Sequence, residues 1–189
     1  MAINLKKGGS INLKKEKPGI ENINVGLGWD VNEGSSSFPF DLDASVFMVG
    51  ANGKIISDEY FIFYNNKTSP DGAVNHMGDN RTGAGDGDDE TIKIQLSKIN
   101  PEVVQIVFAI TIDQAAERQQ NFGMIPNAFT HIYNADTNEL FCEYSLTENF
   151  GSADALIIGC FNRNGDSWDF EAMGNAYNGG LEFLVGYYA

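Results

Sequence analysis

Positive charge is what this chain has least of. Twelve Lys and Arg stand against 26 Asp and Glu in 189 residues, a formal net charge of −14. Nothing offsets phosphate repulsion at that balance, so nucleic acid is excluded as a partner. An anionic membrane is excluded too, unless a divalent cation bridges it. Cysteine is nearly absent: Cys142 and Cys160 lie in apolar, strand-like runs, with no CxxC and no basic neighbours. They read as buried reduced thiols, which leaves no redox centre. His76 and His131 have no partner at ligand spacing, and this argues against zinc. No apolar run approaches the roughly 18 residues of a membrane span. Met1–Gly9 carries lysines without an apolar stretch behind them, so no signal peptide is expected. A soluble, cytoplasmic protein with no membrane insertion is the expectation.

The chain does have enough apolar matter for a core. It is 42% hydrophobic and 12% aromatic, and its length suits one sizeable domain over residues 1–189. Its pattern is that of short strands between turns. Ile3–Lys7 recurs as Ile11–Lys15 around Gly8-Gly9-Ser10, the pattern of an N-terminal hairpin. Strands are expected over Ile23–Trp29, Phe40–Val49, Tyr60–Tyr64, Ile92–Leu96, Phe129–Tyr133, Leu140–Leu146, Ala155–Phe161 and Trp168–Met173. Val103–Ile112, nearly all apolar and β-branched, reads as the central strand. Asn52-Gly53 is a hairpin turn signal. Asp113 is placed to cap a short helix through Ala115 and Glu117. Leu181–Tyr188 is compatible with strand or helix. The fold class expected is all-β, a two-sheet β-sandwich with a few short helices.

Residues Gly78–Glu90 read GDNRTGAGDGDDE, five acids and four glycines in thirteen positions. Such a loop repels itself unless water or a cation neutralises it. Gly83, Gly85 and Gly87 let the backbone fold tightly enough to turn carbonyl oxygens toward one centre. Carboxylates and carbonyls converging in this way are the hard oxygen ligands that calcium takes. The frame Asp79 to Glu90 has the length of an EF-hand loop, but Arg81 and Ala84 occupy the positions that need an acid and a glycine. Tandem glycine-aspartate β-roll repeats are excluded because there is one copy. A solvated acidic loop without an ion is the plain alternative, and the alternating glycines argue against it.

Asp30 ends one expected strand, while Asp41 and Asp43 begin another. Two apart in a strand, Asp41 and Asp43 share a face about 7 Å apart. Two carboxylates so close need a cation or a shared proton. With the loop they supply enough acidic groups for two calcium ions. Magnesium fits less well because it dehydrates reluctantly. His76, in Asn75-His76-Met77, reads as a turn residue and not as a ligand.

Val25-Gly26-Leu27-Gly28-Trp29-Asp30, Phe40-Asp41-Leu42-Asp43-Ala44-Ser45, Ser69-Pro70-Asp71-Gly72, the Gly78–Glu90 loop, Gln120-Asn121-Phe122-Gly123 and Asn178-Gly179-Gly180-Leu181 occur in this order. Together they resemble the TerD family of tellurite-resistance and general stress proteins, which includes calcium-binding members. The resemblance implies a β-sandwich holding two Ca2+ ions. By matching position it implies ligands at Asp30, Asp41, Asp43, Asp79, Asn80, Thr82, Asp88, Asp89 and Glu90, completed by backbone carbonyls near Gly83, Gly85 and Gly87. Asp86 stands where the family varies. Also implied are a role in tellurite and stress resistance and protein partners, among them membrane-associated members of the same resistance system.

The function expected is therefore a non-enzymatic interaction module ordered by calcium. Two other classes stay open at this stage. One is a metal-dependent phosphoester hydrolase, disfavoured by the lack of a P-loop, a nucleophile triad or a basic phosphate cradle. The other is a calcium-dependent lipid or glycan binder, for which Met77 and Arg81 are the nearby exposed candidates.

Overall fold

The computed structural model describes residues 8–12, 15, 19–34, 37–85 and 87–189, with backbone only at 142, 148 and 149. Eleven strands form two antiparallel sheets among these residues. They are β1 (Ser10–Asn12), β2 (Asn22–Gly28), β3 (Leu42–Val49), β4 (Phe61–Ile62), β5 (Val74–His76), β6 (Glu90–Gln95), β7 (Gln105–Ile112), β8 (Phe129–Asn134), β9 (Leu140–Ser145), β10 (Ala155–Asn164) and β11 (Ser167–Tyr177). The first sheet runs β1-β11-β10-β7-β3-β4 and the second β5-β6-β2-β8-β9. The architecture is the expected sandwich, with β7 inside its sheet. The first copy of the N-terminal repeat lies outside the described residues. Of the second copy, Ile11 and Asn12 pair with Phe170 and Asp169 of β11.

Period-2 patterning builds the core between the sheets. Leu42, Ala44, Val46 and Met48 of β3 and Ile106, Phe108, Ile110 and Ile112 of β7 are buried in one cluster with Ile23, Val25 and Leu27 of β2 and Ile92 and Ile94 of β6. Removing that apolar area from water is the main driving force of the fold.

The opposite face of the first sheet is also covered. Helices with both ends among the described residues are α1 (Ala115–Arg118), α2 (Leu146–Asn149) and α3 (Gly180–Tyr188). Leu184 and Tyr188 of α3 form a second buried cluster with Phe47, Val49, Val107, Ala109, Ala155, Ile157 and Cys160. Phe47 stacks on Phe61 at 4.6 Å and on Tyr188 at 4.9 Å between ring centroids. This resolves the open choice at Leu181–Tyr188 as helix, and it leaves every residue of β3 buried. Burial beside Glu171 pushes the Cys160 thiol up to about 11, so the thiolate that would react is suppressed.

Asp113 does not cap α1. Gln114 occupies the N-cap with φ +51° and no side-chain bond to the helix. The Asp113 carboxylate instead accepts from Arg118 Nη2 at 3.0 Å and Gln114 Nε2 at 2.9 Å.

Candidate metal centre

The antiparallel register of β3 and β7 assembles the site. Leu42 lies opposite Ile112 and Asp43 opposite Thr111. The Asp113 amide donates to the Asp41 carbonyl at 2.8 Å, which extends the pairing one step past β7. Since Leu42 and Ala44 face the core, Asp41 and Asp43 share the other side of the sheet. Asp79, from the start of the acidic loop, comes down beside them. One ligand oxygen from each of Asp41, Asp43 and Asp79 lies within 4.8 Å of the others, a grouping no other acidic residues match among the described ones. Tyr64, Arg81, Asp113 and Gln114 complete the walls of a cavity of about 350 Å³.

The charges are badly matched. Arg81 Nε lies 3.3 Å from Asp41 Oδ2, and Arg118 reaches Asp41 at 3.8 Å and Asp113 at 3.0 Å. Asp41 and Asp43 are only 3% and 6% exposed. The strongest charges acting on Asp43 are all carboxylates: Glu90, Asp41, Asp113 and Asp79. Burial first, then those neighbours, pushes the Asp43 carboxyl up to about 8. Asp41 is raised by burial, with Arg81 pulling the other way.

Glu90 lies beneath this group at the start of β6. Its Oε2 accepts from the Ala44 amide at 2.7 Å and has His76 Nε2 at 3.4 Å. Its Oε1 is buried with no hydrogen-bond partner among the described residues. An orphaned, buried carboxylate oxygen is costly, and burial raises the Glu90 carboxyl accordingly. His76 is thus the last residue of β5, buried against Glu90, and not a turn residue.

The remaining acids of the loop do not join the group of Asp41, Asp43 and Asp79. Asp89 Oδ2 accepts from the Trp29 amide at 2.9 Å, and Oδ1 from Asn80 Nδ2 at 2.7 Å. Asn80 Oδ1 accepts from the Thr82 and Gly83 amides at 3.2 Å each, which curls the loop. Asp88 Oδ1 sits 2.8 Å from His131 Nε2. Asp30 takes a bond from Asn127 Nδ2 at 2.5 Å. Burial raises the Asp89 carboxyl, and Asp88 and Asp30 add to the rise. Gly83 and Gly85 line a second cavity of about 640 Å³ with Asp30, Glu33 and Pro126. Gly87 turns its carbonyl toward Gly28. Asp86 lies outside the described residues.

The acids foreseen from sequence therefore fall into two groups: Asp41, Asp43 and Asp79 over Glu90, and Asp30 and Asp88 in the surroundings of Asp89. Asp30 does not join Asp41 and Asp43. Sequence reasoning missed Tyr64, Asp113, Gln114 and Arg118. The only available signal was an acid directly after the long apolar run of β7, and it read as a helix cap. The donors lining the first cavity are carboxylates, a phenol and an amide, with no thiol or imidazole. That set fits a hard divalent cation such as calcium.

An acidic β-sandwich with carboxylates clustered at the strand ends and loops is the class of protein these features define. A family model described as TerD domain matches residues 1–188. The chain is 45% identical over 188 residues to Tellurium resistance protein TerD of Serratia marcescens, spanning 100% of this chain and 97% of the relative. It is 46% identical over 181 residues to General stress protein 16U of Bacillus subtilis (strain 168), covering 96% and 94%. A crystal structure of a homologue of telluride resistance protein (TerD) from Streptomyces coelicolor A3(2) shares the fold, with TM-score 0.77, 21% identity and coverage of 88% and 96%. The chain belongs to the TerD family of tellurium-resistance and stress proteins.

Proposed function

We propose that this protein is a calcium-binding stress-response module that acts without catalysis, by presenting a loop surface ordered by two Ca2+ ions to a protein partner. The observation that carries the reading is Asp43. It is buried, surrounded by like charge, and within 4.8 Å of ligand oxygens from Asp41 and Asp79. A folded protein tolerates such a group when a cation neutralises it.

Asp41, Asp43 and Asp79 would hold one ion, with Glu90 behind them. Asp30, Asp88, Asp89 and Asn80, with carbonyls of the glycine loop, would hold the other. When bound, calcium would supply charge neutralisation and a fixed geometry for the loop. The residues themselves do the rest: Asn80 and Asp89 tie the loop to Trp29, and Glu90 ties its end to β3. An ordered Gly78–Glu90 surface is then available to a partner in the manner of a disorder-to-order switch. The names of the curated relatives describe resistance and stress proteins and no enzymatic activity, in keeping with a binding role. A membrane-associated component of the same resistance system is the partner class proposed.

Calorimetric titration of calcium into chelator-treated protein tests the reading. Saturable binding is expected, with one site lost in Asp43→Asn and the other retained. Calcium at 100 times its dissociation constant adds ~2.7 kcal/mol per site. At roughly 2–4 °C per kcal/mol for a domain of this size, each site raises the melting temperature by roughly 5–10 °C. Absence of both heat and thermal shift in demonstrably metal-free protein refutes it.

A further inference from the structure

A third cavity, of about 410 Å³, adjoins the candidate metal centre on the outer face of the first sheet. Its volume falls within the range of small-molecule sites, about 300–1,000 Å³. Asp43 and Thr111 line it, opposite one another across the β3–β7 pair. Its walls are α1 and the start of α3, which contribute exposed Glu117 and Glu182. No Lys, Arg or His lines it among the described residues. Leu181, partly buried against the outer cluster, adds apolar surface.

Acidic walls alone would not make a site. Thr111 adds an independent observation: the residue is 1% exposed, and its Oγ1 is buried without a hydrogen-bond partner among the described residues. A buried hydroxyl left unpaired is destabilising by about 1–3 kcal/mol. Here it belongs to the lining of a cavity large enough for a ligand. Asp154, by contrast, is committed to the fold: its carboxylate accepts from the Gly179 and Gly180 amides at 2.9 and 3.0 Å and holds the start of α3.

We infer that this groove binds an alkylammonium group, with Thr111 Oγ1 accepting from the ammonium, Glu117 and Glu182 balancing its charge, and Leu181 packing against its methylenes. An ammonium carries three donors and no acceptor, which suits a lining of carboxylates and hydroxyls. An aliphatic chain suits the apolar remainder better than a hydrated inorganic ion does. The chemistry is the same whether the amine is a free polyamine or a lysine side chain, and the inference does not rest on calcium occupying the neighbouring centre.

Calorimetry on the full chain tests it, with spermidine and with Nα-acetyl-lysine methylamide as probes, each in saturating calcium and in chelator. Saturable binding of at least one probe is expected in both conditions. Spermidine alone binding assigns a free polyamine; the capped lysine binding assigns a side chain. Thr111→Val removes the acceptor without changing charge or shape, so it separates the groove from general attraction to an acidic protein. It should weaken binding at least several-fold while the protein melts normally. Ala116→Lys, at an exposed position of α1 lining the groove, should abolish binding by supplying a tethered ammonium, and it serves should Thr111→Val fold poorly. The inference is overturned if neither probe saturates below about 1 mM, a free energy near −4 kcal/mol. It is equally overturned if Thr111→Val folds and binds normally, if Ala116→Lys binds normally, or if calcium erases binding, which would place the amine in the metal centre.

Discussion

The Ala44 amide donates to Glu90 Oε2 at 2.7 Å, so a side chain from the second sheet closes a backbone donor on the first. This bond anchors the end of the acidic loop directly beneath the pair Asp41 and Asp43. It also explains why the loop's last acid is buried while its first, Asp79, is exposed. The loop joins β5 to β6 within the second sheet, and its last residue reaches across to the first.

Acidity should govern the metal-free protein through Asp43. Its carboxyl is pushed up to about 8 in the fold, against ~3.9 in an unfolded chain. The folded state therefore holds this proton longer than the unfolded state. The stabilisation is fully present below pH ~4 and is lost progressively as pH rises to about 8. Asp41, Asp89 and Glu90 are raised as well and act in the same direction. Urea midpoints in chelator should fall between pH 5 and pH 8.5, by less in Asp43→Asn than in wild type. Near pH 7 calcium must also displace the Asp43 proton. The apparent binding enthalpy should then change with the ionisation enthalpy of the buffer.

Arg81 is the tethered cation that would compete with a bound metal for Asp41. Its side chain is 67% exposed, and it holds Asp41 Oδ2 at 3.3 Å from the cavity wall. Arg81→Gln should raise calcium affinity a few-fold, and it should lower the metal-free melting temperature at neutral pH, because the buried Asp41 carboxylate loses a charge partner. Weaker calcium binding in Arg81→Gln would show that the guanidinium positions Asp41 for the ion instead of competing with it.

Gly83 should be the least replaceable glycine of the loop. Its φ is +68°, and a Cβ there would stand 2.6 Å from the Trp29 carbonyl oxygen and from the indole ring. Gly72 has nearly the same φ, +67°, with open space around it. Gly72→Ala should therefore cost about 1–2 kcal/mol of backbone strain. Gly83→Ala should cost roughly 3 kcal/mol or more, since the loop must also move off Trp29. Equal denaturant midpoints for the two variants would contradict the packing of the loop on that indole.

Helix α3 should be integral to stability. Leu184 is 1% exposed and packs in the outer cluster with Phe47 and Val107. Leu184→Ala should destabilise by about 2–5 kcal/mol, read from chemical denaturation. A loss under 1 kcal/mol would mean that the helix covers the sheet without packing into it.

Much of this was legible in one dimension because it is local. Alternation in Leu42–Met48 and Ile92–Ile94, the Asn52-Gly53 turn and the unbroken apolar run before Asp113 each mark a strand or a turn without reference to any distant residue. Asp41 and Asp43 fall on one face by the period of a strand, and the glycines of the loop declare a tight backbone. The family motifs, read in order, pointed to the same sandwich. What sequence did not reveal was every feature made by long-range register. The β3–β7 pairing alone sets Asp113 beside Asp41 and Thr111 beside Asp43, and neither neighbour is marked by local pattern. Only packing against the outer face of the first sheet decided that Leu181–Tyr188 is helical and that β3 is buried on both sides. Composition thus determined an acidic β protein with clustered carboxylates. The tertiary structure decided which carboxylates lie together, because that depends on strand pairing between residues up to seventy positions apart.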